Sequence, residues 1–562
     1  VAADHSHSPA GKDPEIMSIS PMSRRRVLAG SAVAAAATTL AACGDKGGSE
    51  SQDKLSSPDD NFNAEGMPVV DDTVKLSFMT GRYSTTADDW NTIASVKEME
   101  KRSNIHVDWG LVPFDATEEK RNLALASGDY PEVFSRMGFG AADLAKNGEQ
   151  GSFLALNDAV ENYMPNLKKL LDQYPDIRKG MTMPDGNIYG LPLIYDPDFE
   201  SLNISEMIWI RTDWLDDFGM DMPETLDEFE AFLLEVKNGD PKGDGKKDAI
   251  PYSASDAAGI VRMMYSTFGL ANHGLSSGNI DEGEDGKLRF WRTSDGYREL
   301  MTYLAKLYKK GLIQQDIFTV DTQKFSTIGR ENQFGAVGTQ VPSEDFGKEL
   351  GNRYQPLKPL KRSAGEDVPT WNASGSPLAS VGQFVVTDKA EHPLEACRWM
   401  DYYYGDEGAK LFFLGIEGES YEEKDGKYRF LPKITDNPDG LSIDEAVKPY
   451  VNYMGGGYAG FVKEEYFQGI ESTKQAKDGA AVMAPHGVKD IWPLFTFSGD
   501  EADELTSITA DITKLIEESE AKFITGTMDP DKDWDSFTKQ FDAIGLDRYM
   551  EIQQAAYERY KK

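Results

Sequence analysis

Between residues 74 and 111 the apolar residues change their period from two to about three and back to two. Val74, Leu76 and Phe78 alternate with Lys75, Ser77 and Met79. Trp90, Ile93, Val96 and Met99 then recur at helical spacing, and Ile105, Val107, Trp109 and Leu111 alternate again. Two strands separated by one helix predict a parallel βαβ unit, because parallel neighbours need a crossover whereas a tight turn makes them antiparallel. The same grammar continues. A helix is expected over 117–126, stopped by Ser127-Gly128-Asp129, and a short buried strand at Glu132-Val133-Phe134-Ser135. Over 222–238, Thr225 as N-cap and Glu228 three residues on form a capping box before an apolar face of Leu226, Phe229, Phe232, Leu233 and Val236. Further helices are expected near 295–310 and 392–414, and residues from 440 onward read as mostly helical with long loops. The fold class is α/β.

At 562 residues the chain is too long for one ordinary domain; about 150 residues per domain suggests three or four, and two large lobes fit equally. The formal charge of −36 repels phosphate, so a nucleic-acid partner is excluded. Two cysteines, Cys43 and Cys397, exclude a disulfide framework and a four-cysteine zinc site. Cys397, within the helical stretch Leu394-Glu395-Ala396-Cys397-Arg398-Trp399, reads as a packed thiol, since no histidine partner is indicated.

The N-terminus reads as an address. Ser23-Arg24-Arg25-Arg26 is a basic start, followed by an apolar run from Val27 to Ala42. That run falls short of the roughly 20 residues a spanning helix needs, so it reads as a signal peptide. Its end, Leu40-Ala41-Ala42-Cys43, resembles the lipobox of bacterial lipoproteins, in which the cysteine is diacylated. Ser-Arg-Arg-x-Val-Leu also resembles a twin-arginine export signal. Residues 44–72, rich in Gly, Ser, Asp and Asn, read as a flexible tether. Two acyl chains would hold such a protein stably, so Cys43 predicts a lipid anchor and an extracytoplasmic location on the outer face of the cell membrane.

Several stretches resemble one family. They are Ala126-Ser127-Gly128-Asp129-Tyr130-Pro131-Glu132-Val133, Asp185-Gly186-Asn187-Ile188-Tyr189-Gly190-Leu191-Pro192, Trp209-Ile210-Arg211-Thr212-Asp213-Trp214-Leu215 and Pro223-Glu224-Thr225-Leu226-Asp227-Glu228-Phe229. Gly415-Ile416-Glu417-Gly418 and Gly545-Leu546-Asp547-Arg548-Tyr549 follow in order. Together they resemble the extracellular solute-binding proteins of ABC importers, family 1, of the long lipoprotein type similar to alginate-oligosaccharide binders. The resemblance implies a two-lobed periplasmic-binding-protein-like fold with a hinge and an interlobe cleft. It implies crossovers near 196–200, 356–360 and 416–420, hence lobe 1 from 73–197 and 358–416 and lobe 2 from 198–357 and 417–562. It further implies an oligosaccharide ligand, permease transmembrane subunits as partners, a monomer, and no catalysis.

A sugar site needs rings to stack on and polar groups for the hydroxyls, set at the C-terminal ends of strands. That rule selects Tyr83 and Ser84, Arg136 and Met137, Ser255 and Asp256, and Thr339 and Gln340. Trp209 and Arg211 follow the first expected crossover, Trp371 and Asn372 sit in a Gly/Ser-rich loop, Glu417 marks the last crossover and Tyr453 is flanked by glycines. Most of the aromatic residues must be core, and for each of these positions packing is the competing reading. The acidity of the chain favours a neutral oligosaccharide over a polyanionic one.

One loop has the pattern of a calcium site. Asp240, Asp244, Gly245, Lys246 and Asp248 match positions 1, 5, 6, 7 and 9 of an EF-hand loop. Related binders carry calcium there, with Asn or Asp at position 3 and Glu just after position 9; here Lys242 and Ala249 stand in those places. A structural calcium and a metal-free polar turn both remain open. No P-loop or zinc-binding helix singles out an enzyme. The rival functions are a surface glycan hydrolase or lyase, which needs two facing carboxylates, and a peptide or glycopeptide binder on the same fold.

Overall fold

The computed structural model describes residues 47–452 and 457–562. The export segment, Cys43 and Tyr453 lie outside the described residues. Residues 46–562 make one compact unit, built on two sheets.

The alternating segments become β1 (Val74–Arg82) and β2 (Ile105–Pro113). They pair in parallel with Val74 opposite Ile105, and the helix Ala94–Ser103 is their crossover. Trp90 occupies a separate single turn, Trp90–Thr92, ahead of that helix. β3 (Val133–Phe139) and β4 (Leu191–Tyr195) follow, then β5 (Met207–Arg211), β6 (Ile250–Ala254) and a hairpin of β7 (Ile280–Glu282) and β8 (Leu288–Phe290). β9 (Phe334–Thr339), β10 (Tyr354–Pro356) and β11 (Leu378–Val386) precede a second hairpin, β12 (Tyr421–Lys424) and β13 (Lys427–Phe430), and β14 (Gly460–Val462).

The first sheet has the order β14-β4-β11-β3-β1-β2. β11 runs against β3 and β4, so the other five strands point one way and end on one side. The second sheet has the order β10-β5-β9-β6. β6 and β9 are parallel, whereas β5 is antiparallel to both its neighbours. β1 and β3 approach closely at Gly81: a Cβ there would collide with the Arg136 carbonyl.

Helices form where period and caps agree. Thr225 accepts from the Glu228 N–H and opens Leu226–Asn238 through the expected capping box. Ser294 caps Asp295–Lys309, and Gly128 ends Thr117–Ser127 in the left-handed region. The helix expected over 392–414 is two helices, Pro393–Asp401 and Asp406–Phe413, because the chain turns at Tyr402–Tyr404 and turns extended at Gly405.

Each sheet has its own hydrophobic core. The first contains Leu55 to Phe199 and then Leu378 to Phe467. The second contains Ile204 to Ala373 and then Met483 to Tyr557. The chain therefore changes core near 200–203, 374–377 and 468–482. The sequence expects the first change near 196–200, a few residues earlier. The other two are later: residues 357–373 pack with the second sheet and the 421–430 hairpin with the first. The tether reading of 44–72 also gives way from residue 47 onward. Gly47–Lys54 is helical, Ser51 donates to the Asp388 and Ala390 carbonyls, and Leu55, Val69 and Val70 are buried. Three apolar side chains separated by polar turns give no periodic signal, yet each fills a place in the first core.

Candidate functional site

Two cavities adjoin through shared lining residues, the first walled by elements around the first sheet and the second reaching elements of both sheets. One, of about 440 Å³, is lined by Tyr83, Thr85 and Thr86 just past β1, by Tyr195 at the end of β4, and by Phe467, Ile470 and Glu471 after β14. The segment before β14 adds Asp444, Val447, Lys448, Val451 and Asn452. The other, of about 580 Å³, is bounded by Glu206 just before β5, by Leu275 and Ser276, and by Ala373, Gly375, Ser376 and Leu378 of the second crossover. Tyr195 and Leu202 line both. The cleft thus lies at strand ends, where open α/β sheets place ligands.

Its aromatic surface starts at Tyr83. That ring stacks on Phe114, with centroids 4.1 Å apart and planes 20° from parallel. Phe114 directly follows β2 and is 41% exposed. The Arg136 guanidinium lies behind, 5.4 Å from the Tyr83 ring and 5.7 Å from Trp90. Arg136 is buried and its backbone is left-handed, at φ +56°.

On the other side the polar groups are held in pairs. Glu206 bonds the Arg262 guanidinium at 2.5 and 3.0 Å. The Gln340 amide donates to Glu471 Oε1 at 2.9 Å, and the Glu471 carbonyl accepts from Ser201. Asp256 accepts from the Gly259 N–H and caps Ala257–Arg262. Ser255 donates its N–H to the Gly338 carbonyl. Burial raises the Asp345 carboxyl above the usual carboxylate range, although the Thr339 hydroxyl donates to it. Burial likewise raises Asp196, beside Tyr195.

Of the residues selected from the sequence, the structure brings Tyr83 into the cleft wall and Gln340 against the lining residue Glu471. Ser84 is exposed beside Tyr83. Ser255 and Asp256 stand at the cleft end of β6. Others are core. Met137 is 1% exposed, and its carbonyl accepts from Arg121. Trp209 is buried on β5 and donates its indole N–H to the Thr339 carbonyl. Arg211 lies at the far end of the sheet, because β5 is antiparallel and only its Met207 end sits beside Thr339. It is spent on Asp213, Asn332 and the faces of Trp214 and Tyr354. Trp371 is 2% exposed in the second core and bridges Gly487. Asn372 is buried against Ser266 and Leu270. Glu417 is exposed in the turn before β12, away from the crossovers. Sequence reading passed over Phe114 and Tyr195, although both obey the strand-end rule. Nothing periodic marks Asp444–Asn452.

The calcium pattern does not fit a divalent ion. Lys242 Nζ lies 2.5 Å from Asp248 Oδ1 and 3.8 Å from Asp244 Oδ2, with its side chain 9% exposed. Asp240 is engaged by the Asp244 and Gly245 N–H groups. A calcium ion wants six to eight oxygens, and an ammonium group stands among those present. No group of three or more metal-ligating side chains occurs among the described residues.

Two enzyme-like features are also accounted for. Gly274-Leu275-Ser276-Ser277-Gly278 spells G-x-S-x-G, a match sequence reading missed, but no strand leads into it as a nucleophile elbow requires. The Ser276 hydroxyl accepts from the Ser376 N–H. Cys397 is fully buried, and burial pushes its thiol up, away from the reactive thiolate.

Residues 84–410 match the family model described as bacterial extracellular solute-binding protein. The chain belongs to this family. Its members bind solutes outside the cell and deliver them to a membrane permease; they are not enzymes. The chain is 28% identical over 545 residues to the fructooligosaccharide ABC transporter substrate-binding protein FusA of Streptococcus pneumoniae, covering 94% of this chain and 97% of that one. The structure of FusA in complex with kestose matches with a TM-score of 0.70 and 26% identity over 87% of this chain and 99% of that one. A FusA EF-hand mutant in complex with fructo-nystose matches equally well. An "HMO binding" ABC-transporter-associated solute-binding protein of Bifidobacterium longum infantis matches the fold with a TM-score of 0.74 and 23% identity, over 88% of this chain and 100% of that one. No described helix is long and apolar enough to cross a membrane.

Proposed function

We propose that the chain captures a neutral oligosaccharide in the cleft between the two sheets and is anchored by a lipid on Cys43. The observation that carries the reading is the stacked Tyr83–Phe114 pair at the strand ends beside a cavity of about 440 Å³. A sugar ring has a flat C–H face that suits an aromatic platform and hydroxyls that suit paired polar side chains. Tyr83, Tyr195 and Phe467 supply rings; Asp444, Asn452 and Glu471 supply hydrogen-bonding groups. Neutrality is favoured by the cleft's own charges. Glu206 has Arg262 as its partner, Glu471 has Gln340, and the whole chain stands at −36. FusA, described as a fructooligosaccharide binder, supports the same ligand class.

The test is titration calorimetry of the purified protein against neutral fructo- and gluco-oligosaccharides, with alginate oligomers as the anionic arm. Saturable heat with a neutral sugar alone is the expected result; tighter binding of the anionic set would overturn neutrality. Mass spectrometry of the protein extracted from membranes should show a diacylglycerol increment on a chain beginning at Cys43.

A further inference from the structure

We infer that Lys242 is the built-in cation of the Asp240–Asp248 loop, holding by a covalently tethered ammonium the position that a divalent ion would otherwise fill. The loop joins the helix Leu226–Asn238 to β6. Its backbone closes as an ion-binding loop does, with the Asp240 carboxylate accepting from the Asp244 and Gly245 N–H groups at 3.2 and 2.8 Å. Gly243 and Gly245 take the left-handed turns that this requires, at φ +66° and +79°. Asp248 and Asp244 are both exposed, and the cation paired with each is Lys242 Nζ.

The ammonium also reaches outside the loop. It donates to the Gln333 side-chain oxygen at 3.2 Å. Gln333 immediately precedes β9, and its carbonyl accepts from the Ile250 N–H at the start of β6. Lys242 therefore fastens the loop to the entry of both strands, whose other ends carry Ser255, Asp256, Thr339 and Gln340 toward the cleft. Lys246 also approaches Asp244, at 3.7 Å, but its side chain is 68% exposed, whereas Lys242 is 9% exposed and reaches Asp248 and Gln333 as well. The opposing groups around the ammonium are Asp244, Asp248 and Gln333, and a second cation brought to them would meet its like charge.

Three proteins test this: wild type, Lys242→Met and Lys242→Asp, each melted in excess calcium and in excess chelator and each titrated with calcium chloride in a calorimeter. Wild type is expected to bind no calcium and to melt alike in both buffers. Lys242→Met removes the charge and is expected to melt about 2 °C lower in both. Lys242→Asp supplies the missing oxygen ligand; it is expected to melt low in chelator, recover in calcium and bind the ion saturably. Three results each overturn the inference: a wild type that chelator destabilises, a Lys242→Met that melts as wild type does, or a Lys242→Asp without calcium response. The wild-type measurement stands even where a variant fails to fold. No step involves sugar, so the outcome is independent of the proposed ligand.

Discussion

The Gln340 amide holds the Glu471 carboxylate at 2.9 Å, tying the end of β9 to the segment that follows β14. Glu471 is a wall of the cleft and Gln340 stands behind it. A hydrogen bond to a charged group is worth about 1.5–3 kcal/mol. Gln340→Ala is therefore expected to weaken sugar binding about tenfold by calorimetry, through a carboxylate free to swing. Gln340→Glu should weaken it further at neutral pH, since two carboxylates would then face each other.

Tyr83 and Phe114 should divide their effects. Tyr83→Ala removes a ring that lines the cavity, and losing such an anchor costs about 2 kcal/mol, or roughly thirtyfold in affinity. Phe114→Ala removes only the ring behind it, worth about 1 kcal/mol. Equal losses would contradict the order of the stack.

Trp371 and Trp209 separate packing from binding. Each is buried in the second core, where truncation to alanine costs about 3–5 kcal/mol. Lower melting temperatures with near-normal affinity in the folded fraction are expected, as measured by calorimetry and circular dichroism.

Acid should loosen the second core through Glu230. Burial works to raise this carboxyl, but its bonds to Lys306 and Lys310 outweigh burial and hold it below the usual range. A depressed folded-state pKa gives stability that is present above the unfolded value, about 4.3, and is lost as pH falls through the folded one. The urea midpoint should drop below about pH 4.5, and Glu230→Gln should flatten that part of the curve while lowering the neutral plateau.

Starting the chain at Thr73 should lower its melting temperature relative to a chain starting at Gly47. Leu55, Val69 and Val70 leave the first core in the shorter chain, each worth about 2 kcal/mol of burial.

The sequence alone determined the α/β class, the β1–β2 unit, the Thr225 capping box and the family, because these rest on local periods, local caps and ordered motifs. It also put Tyr83 forward as a candidate, since a residue just past a strand is displaced only with the strand. It failed at Arg211, Trp209 and Trp371, and at the second and third crossovers. Those depend on which way β5 runs and which sheet a loop packs on, and neither leaves a local trace. Strand direction decided that Met207, and not Arg211, meets the cleft end of β9. The calcium loop shows the same division. Its spacing was legible residue by residue, but only the folded backbone brings Lys242 between Asp244 and Asp248, where one ammonium decides the chemistry.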